Sequence, residues 1–177
     1  NLINIVPNWE KATVESKARG HYSLNSEVRQ SKVYFSDEEW IIELVWKYIE
    51  IYKGITGLNY DVVIPEGVQI TKYEEGDYFD YHIDSSGSHL PSSEGTAKFF
   101  NNFKVRKISM TFQLNEEYEG GDYQFAYCEK GKLKTETVER SKGAVILFPS
   151  FLNHCITPVT KGVRYSLVAW VSGPPFK

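Results

Sequence analysis

The chain changes texture near Gly57. Before it, Trp40, Ile41, Leu44, Val45, Tyr48, Ile49 and Tyr52 recur three and four residues apart, the apolar stripe of a helix that covers a core. Ser36 followed by Asp37, Glu38 and Glu39 reads as a capping-box start and Gly54 as a stop, so the pattern predicts a helix over about 37–53. Residues 1–35 mix short apolar and polar pieces, and a strand or irregular segment packed on the main body is expected there. After Gly57 the apolar residues come in short β-rich runs divided by Gly, Pro or charged turns, the pattern of an antiparallel sandwich or barrel. Eight runs are legible, at 68–73, 78–84, 105–114, 122–127, 133–138, 144–148, 154–159 and 164–171. Turn signals at Gly120-Gly121, Lys130-Gly131, Gly143 and Lys161-Gly162 separate several of them.

The expected fold is mainly β, a double-stranded β-helix (jelly roll) with a flanking N-terminal α-helix, in a single domain over 1–177. Residues 1–57 would support it, 58–177 would form the jelly-roll core, and 85–102, rich in Ser, Gly and Asn, would be a lid loop. Composition agrees, since 12 Tyr and 10 Phe suit the half-buried surface of strands. A net charge of -3 gives no broad electrostatic grip on nucleic acid or an anionic membrane. No apolar run approaches the roughly 18 residues that span a bilayer, and a cytoplasmic protein is expected, with a segment trimmed from before Asn1 left open. Cys128 and Cys155 are too few for a disulfide scaffold and read as reduced thiols.

The candidate chemistry lies on the strand runs. His82 and Asp84 are two apart in one run, so both side chains leave the same face. His154 opens a later run, and two imidazoles with one carboxylate on one face of an octahedron leave the remaining positions for substrate and dioxygen, an arrangement that suits Fe(II). Arg164 follows ten residues on, across a turn near Lys161. If the two runs pair as a hairpin, His154 faces about residue 168, with Arg164 on the same face roughly 13 Å along. A guanidinium there would bind the far carboxylate of a 2-oxo dicarboxylate whose near end chelates the metal, with Tyr73 donating a hydroxyl to the same carboxylate. His21 and His89 have no partner at ligand spacing and read as surface or loop residues, while Cys155 should leave the opposite face from His154.

Four stretches carry a resemblance: Val28-Arg29-Gln30-Ser31, Tyr73 to Asp84, Arg106 to Gly121, and Gly143 to Trp170. Through them the chain resembles the prolyl/lysyl hydroxylase-type branch of the Fe(II)/2-oxoglutarate-dependent oxygenases, related to prolyl 4-hydroxylases. The resemblance implies that His82, Asp84 and His154 bind iron, that Arg164 and Tyr73 bind 2-oxoglutarate, and that Trp170 lies near the cosubstrate pocket. Arg106 matches a position implicated in substrate contact. Many prolyl 4-hydroxylases carry Lys where this chain has Arg164, so the residue supports cosubstrate binding and is silent on prolyl chemistry.

The implied cofactors are Fe(II), 2-oxoglutarate and dioxygen, with room for ascorbate as an accessory reductant. The implied reaction turns 2-oxoglutarate and dioxygen into succinate and carbon dioxide while a C–H bond is hydroxylated. A prolyl residue in a peptide or protein leads on resemblance alone, with a free amino acid, a lysyl residue or another small molecule as alternatives. A nucleic-acid substrate is disfavoured by the acidic balance and the lack of a basic stripe with interleaved aromatics. From other classes, a non-catalytic jelly-roll module that keeps a metal pocket, or a structural jelly roll, would need no complete set of these residues. The pattern assigns no oligomeric state.

Overall fold

A computed structural model describes residues 2–12, 14–16, 21–23, 28–62, 64–84 and 105–174. The lid expected over 85–102 and His89 lie outside these residues. In chain order the strands are β1 (Glu10–Lys11), β2 (Val14–Ser16), β3 (His21–Ser23), β4 (Arg29–Gln30), β5 (Lys32–Ser36), β6 (Ile64–Pro65), β7 (Val68–Tyr73) and β8 (Tyr78–His82). They continue as β9 (Val105–Gln113), β10 (Tyr118–Gly120), β11 (Tyr123–Glu129), β12 (Lys132–Thr137), β13 (Val145–Pro149), β14 (Asn153–Ile156), β15 (Val159–Gly162) and β16 (Arg164–Gly173). The described residues are mainly β with one α-helix, as expected.

Two sheets frame the site. The larger has the order β1-β5-β7-β16-β9-β13, with β6 also on β16, and the smaller has the order β12-β11-β14-β8-β4. The chain crosses from the smaller sheet to the larger at Ser31, the single residue between β4 and β5.

Alternation along the central strands of the larger sheet explains why it can serve two layers. Ile108, Met110 and Phe112 of β9 and Leu167, Ala169 and Val171 of β16 belong to one apolar core. The intervening Ser109, Thr111, Gln113 and Ser166 are equally buried but polar. One face of the sheet therefore packs on hydrocarbon, and the other lines the space between the sheets.

The helix α1 (Glu39–Thr56) closes the apolar face, with Ile41, Val45 and Ile49, four apart, fully buried in that core. Each such side chain contributes roughly 2 kcal/mol by burial. The helix differs from expectation at both ends. Its N-cap is Glu38 rather than Ser36, which instead ends β5 and accepts the Glu38 N–H at 3.4 Å. It runs through Gly54 and stops at Gly57, whose left-handed φ of 67° lets its N–H reach the Lys53 carbonyl at 2.9 Å. Trp40, counted in the apolar stripe, stands half exposed.

Two other expectations fail for identifiable reasons. The run expected at 154–159 breaks after Ile156, because Pro158 has no N–H for a ladder, and β15 then pairs with β10. The strands bearing His154 and Arg164 therefore form no hairpin: β14 lies in the smaller sheet between β11 and β8, and β16 lies in the larger between β7 and β9. Asp84 likewise falls beyond the end of β8, in a turn where its N–H donates to the Ser150 carbonyl at 3.0 Å. Among the described residues no helix is long and apolar enough to cross a membrane. Both cysteines are free thiols, Cys155 buried and Cys128 exposed.

Candidate functional site

The register of β14 on β8 sets His154 opposite His82, with ring centroids 4.2 Å apart. Each imidazole places Nδ1 on a backbone carbonyl two residues back, His82 on Asp80 at 2.8 Å and His154 on Leu152 at 2.9 Å. A carbonyl only accepts, so Nδ1 carries the proton and the Nε2 lone pair stays free. Both Nε2 atoms face Asp84, at 3.6 Å from Oδ1 for His82 and 3.7 Å from Oδ2 for His154. One atom from each residue lies within 4.8 Å of the others, and electron pairs that converge this way are satisfied by a cation at their centre.

Neighbouring side chains fix these ligands. Phe79 stacks on His82 at 3.6 Å and 12°, Tyr123 lies parallel to His154 at 5.5 Å, and Phe148 meets His154 edge-on at 4.8 Å. The Ser109 hydroxyl bonds Asp84 Oδ2 at 2.6 Å and Ser150 Oγ at 2.9 Å. One proton cannot serve both, so Ser150 donates to Ser109 and Ser109 to the carboxylate. Burial disfavours charge on Asp84, but His82 and His154, which favour the carboxylate whenever an imidazole takes a second proton, and the Ser109 hydroxyl outweigh it and hold the carboxyl well below its usual range. Burial pulls His154 down to about 4 against the opposing pull of Asp84, leaving a neutral imidazole at neutral pH. Ionised Asp84 and neutral His154 are the states a metal requires.

Across the cavity, Arg164 is 1% exposed, at the start of β16 and opposite Tyr73 of β7. Its Nη1 donates to Ser166 Oγ and its Nη2 to Gln113 Oε1, each at 3.2 Å, while Nε has no partner. No carboxylate pairs with it among the described residues, and an unpaired buried guanidinium is costly until an anion reaches it. Gly121 backs this position at φ 60°, where a Cβ would come within 3.2 Å of Arg164 Cδ and 2.9 Å of Val159 Cγ2. The cavity that holds the triad, Tyr73 and Arg164 encloses about 440 Å³ of space free of protein atoms, part of it open solvent. Arg164 thus enters it from the opposite sheet rather than along a hairpin.

Trp170 also lines the cavity, buried, with its indole Nε1 unpartnered. Arg106 does not line it. Its guanidinium lies 4.0 Å over the Trp170 ring and donates to Glu66 Oε2 from Nε at 2.9 Å and Nη2 at 2.6 Å, while Ser172 Oγ donates to Glu66 Oε1 at 2.6 Å. Sequence reasoning missed Ser109, Gln113, Tyr123 and Arg29 as lining or supporting residues. The first two had a signal: polar residues at every second position of an otherwise apolar strand mark a buried face with polar work.

A sequence-family model described as the 2OG-Fe(II) oxygenase superfamily matches residues 68–172. The chain is 32% identical over 104 residues to a PKHD-type hydroxylase of Alteromonas mediterranea, covering 56% of this chain and 40% of that one. It is 34% identical over 105 residues to a PKHD-type hydroxylase of Janthinobacterium sp., with the same 56% and 40% coverage. The chain thus spans about 40% of the length of the curated relatives it matches. Among solved structures, a Pseudomonas putida prolyl-4-hydroxylase shares the fold at TM-score 0.64 and 17% identity, over 86% of this chain and 76% of that one. A Trichoplax adhaerens prolyl hydroxylase, solved with a peptide fragment of the hypoxia inducible factor oxygen degradation domain, does so at TM-score 0.60 and 19% identity, over 90% and 70%. With its metal-type triad and buried guanidinium inside the matched region, the chain belongs to the 2OG-Fe(II) oxygenase superfamily.

Proposed function

We propose that residues 1–177 form one 2-oxoglutarate-dependent dioxygenase domain in which His82, Asp84 and His154 hold Fe(II) and Arg164 binds the distal carboxylate of 2-oxoglutarate. The observation that carries this reading is the convergence, in one cavity, of two Nε2 lone pairs and a carboxylate with a buried guanidinium that lacks an anionic partner. Bound iron would supply the oxidative decarboxylation of 2-oxoglutarate by dioxygen and the hydroxylation of a C–H bond. The chain's own side chains bind and orient. Ser109 and Ser150 fix Asp84, Phe79 and Tyr123 fix the imidazole planes, and Gln113 and Ser166 aim the Arg164 fork. Tyr73, across the ladder from Arg164, lends its hydroxyl to the carboxylate end, and Trp170 bounds the cosubstrate pocket. Arg106, which the resemblance marks for substrate contact, lies on the Trp170 ring outside the cavity lining.

The substrate proposed is a prolyl residue of a peptide or protein, supported by the PKHD-type hydroxylase relatives and by a structural neighbour solved with a peptide. A free amino acid, a lysyl residue or another small molecule fits the same chemistry. A cytoplasmic location belongs to this reading and is supported by two unpaired thiols. The test is anaerobic loading with Fe(II) and 2-oxoglutarate, then oxygen exposure and succinate measurement, in wild type and His82→Ala. Metal-dependent succinate that disappears in the variant is expected. A wild type that neither binds 2-oxoglutarate nor forms succinate would make the domain a non-catalytic module.

A further inference from the structure

A second guanidinium enters the same cavity. Arg29 lies on β4, at the edge of the smaller sheet, whereas Arg164 comes from the larger. It is 9% exposed, donates from Nε to Ser31 Oγ at 2.8 Å, and sits 4.6 Å over the Phe79 ring. Tyr73 and Asp84 lie near enough to act on its charge, and both line the same cavity. No carboxylate bonds to it among the described residues, and the nearby Asp84 already faces two imidazoles and Ser109.

Charge points the same way. Two guanidiniums and a bound divalent metal against the single carboxylate of Asp84 would put three positive charges in the cavity for anions to offset. A buried positive charge attracts an anion, and a fork of N–H groups matches the two oxygens of a carboxylate. We propose that Arg29 binds a second carboxylate in the cavity, separate from the one at Arg164. This rests on the oxygenase reading above. Two sources carry that chemistry: the metal-end carboxylate of 2-oxoglutarate, or a carboxylate on the substrate, as in a free amino acid or a chain-terminal residue.

The experiment uses wild type, Arg29→Gln and Arg29→Lys, loaded anaerobically with Mn(II). 2-Oxoglutarate affinity is measured by calorimetry. With 2-oxoglutarate bound, the rise in melting temperature is then compared for N-acetyl-L-proline and N-acetyl-L-prolinamide, which differ in the carboxylate. If the cosubstrate is the source, Arg29→Gln weakens 2-oxoglutarate by about tenfold or more and Arg29→Lys restores part of it. If the substrate is the source, 2-oxoglutarate affinity holds and the wild-type preference for the acid over the amide disappears in Arg29→Gln. An Arg29→Gln protein that matches wild type in both readings overturns the proposal while leaving the oxygenase standing. A wild type that binds no 2-oxoglutarate overturns both. Should Arg29→Gln fail to fold, Arg29→Met, which keeps the apolar stem over Phe79, takes its place in each comparison.

Discussion

Arg164 carries a cost in the unliganded protein, because its charge is 1% exposed and its hydrogen-bond acceptors are a neutral hydroxyl and an amide. Arg164→Met should therefore leave the unliganded fold as stable as wild type, or more so, in urea denaturation. The same change should weaken 2-oxoglutarate by roughly 2 kcal/mol or more, about thirtyfold. An Arg164 that only braced the sheet would give the reverse: lost stability and unchanged affinity. His154 predicts the acid response. Its folded value of about 4 lies below the ordinary 6.5, so between these values the unfolded chain binds a proton that the folded chain refuses. Stability of the metal-free protein should be fully present above pH 6.5 and fall as pH drops towards 4, by about 3 kcal/mol from this residue, read as a loss of melting temperature on acidification. Ser109→Ala should lower Mn(II) affinity about tenfold, because Asp84 loses the donor that fixes it. An unchanged dissociation constant would show that Ser109 has no part in holding the metal.

At the scale of elements, the helix offers a contrast. Ile49 is fully buried in the core beneath α1 and Trp40 is half exposed, although both lie in the same sequence stripe. Ile49→Ala should cost about 3 kcal/mol in chemical denaturation, and Trp40→Ala should stay within about 1 kcal/mol. Equal losses would mean that the helix packs differently. The stripe was legible because a helix on a sheet must repeat its apolar residues at that spacing. Its ends were not, because Ser36 looks like a cap whether it starts a helix or ends a strand, and only the pairing of β5 with β7 decides. His82 and His154 were legible as strand residues, but their meeting depends on the register of β14 on β8, which nothing local encodes. The sequence neighbourhood of His154 and Arg164 suggested a hairpin. Pro158 and the pairing of β15 with β10 instead send the two residues to opposite sheets, and the shared cavity survives because both sheets face it. Arg29 was legible only as part of the resembling stretch Val28 to Ser31, with no role attached, because it lies far ahead of the triad and reaches the cavity only through the pairing of β4 with β8.

For the molecule as a whole, the site is a junction between two sheets, so ligands should act as a clasp. The triad belongs to the smaller sheet, its following turn and the start of β14, Arg164 belongs to the larger, and the two sheets surround the cavity. A metal alone would bridge only groups on the triad side. A dicarboxylate that chelates the metal and reaches Arg164 would tie one sheet to the other, and any ligand specific to the folded state adds stability by mass action. At a hundred times its dissociation constant such a ligand contributes about 2.7 kcal/mol, which for a domain of this size is roughly 5 to 10 °C in melting temperature. The expectation is therefore one of coupling. 2-Oxoglutarate should raise the melting temperature by that amount when Mn(II) is present and by much less when the metal is chelated away, because its near end then has nothing to bind. Arg164→Met should abolish the second increment while keeping the increment due to Mn(II). An identical shift from 2-oxoglutarate with and without metal would show that the cavity binds it as a simple anion, and the two ends of the site would have to be assigned to separate ligands.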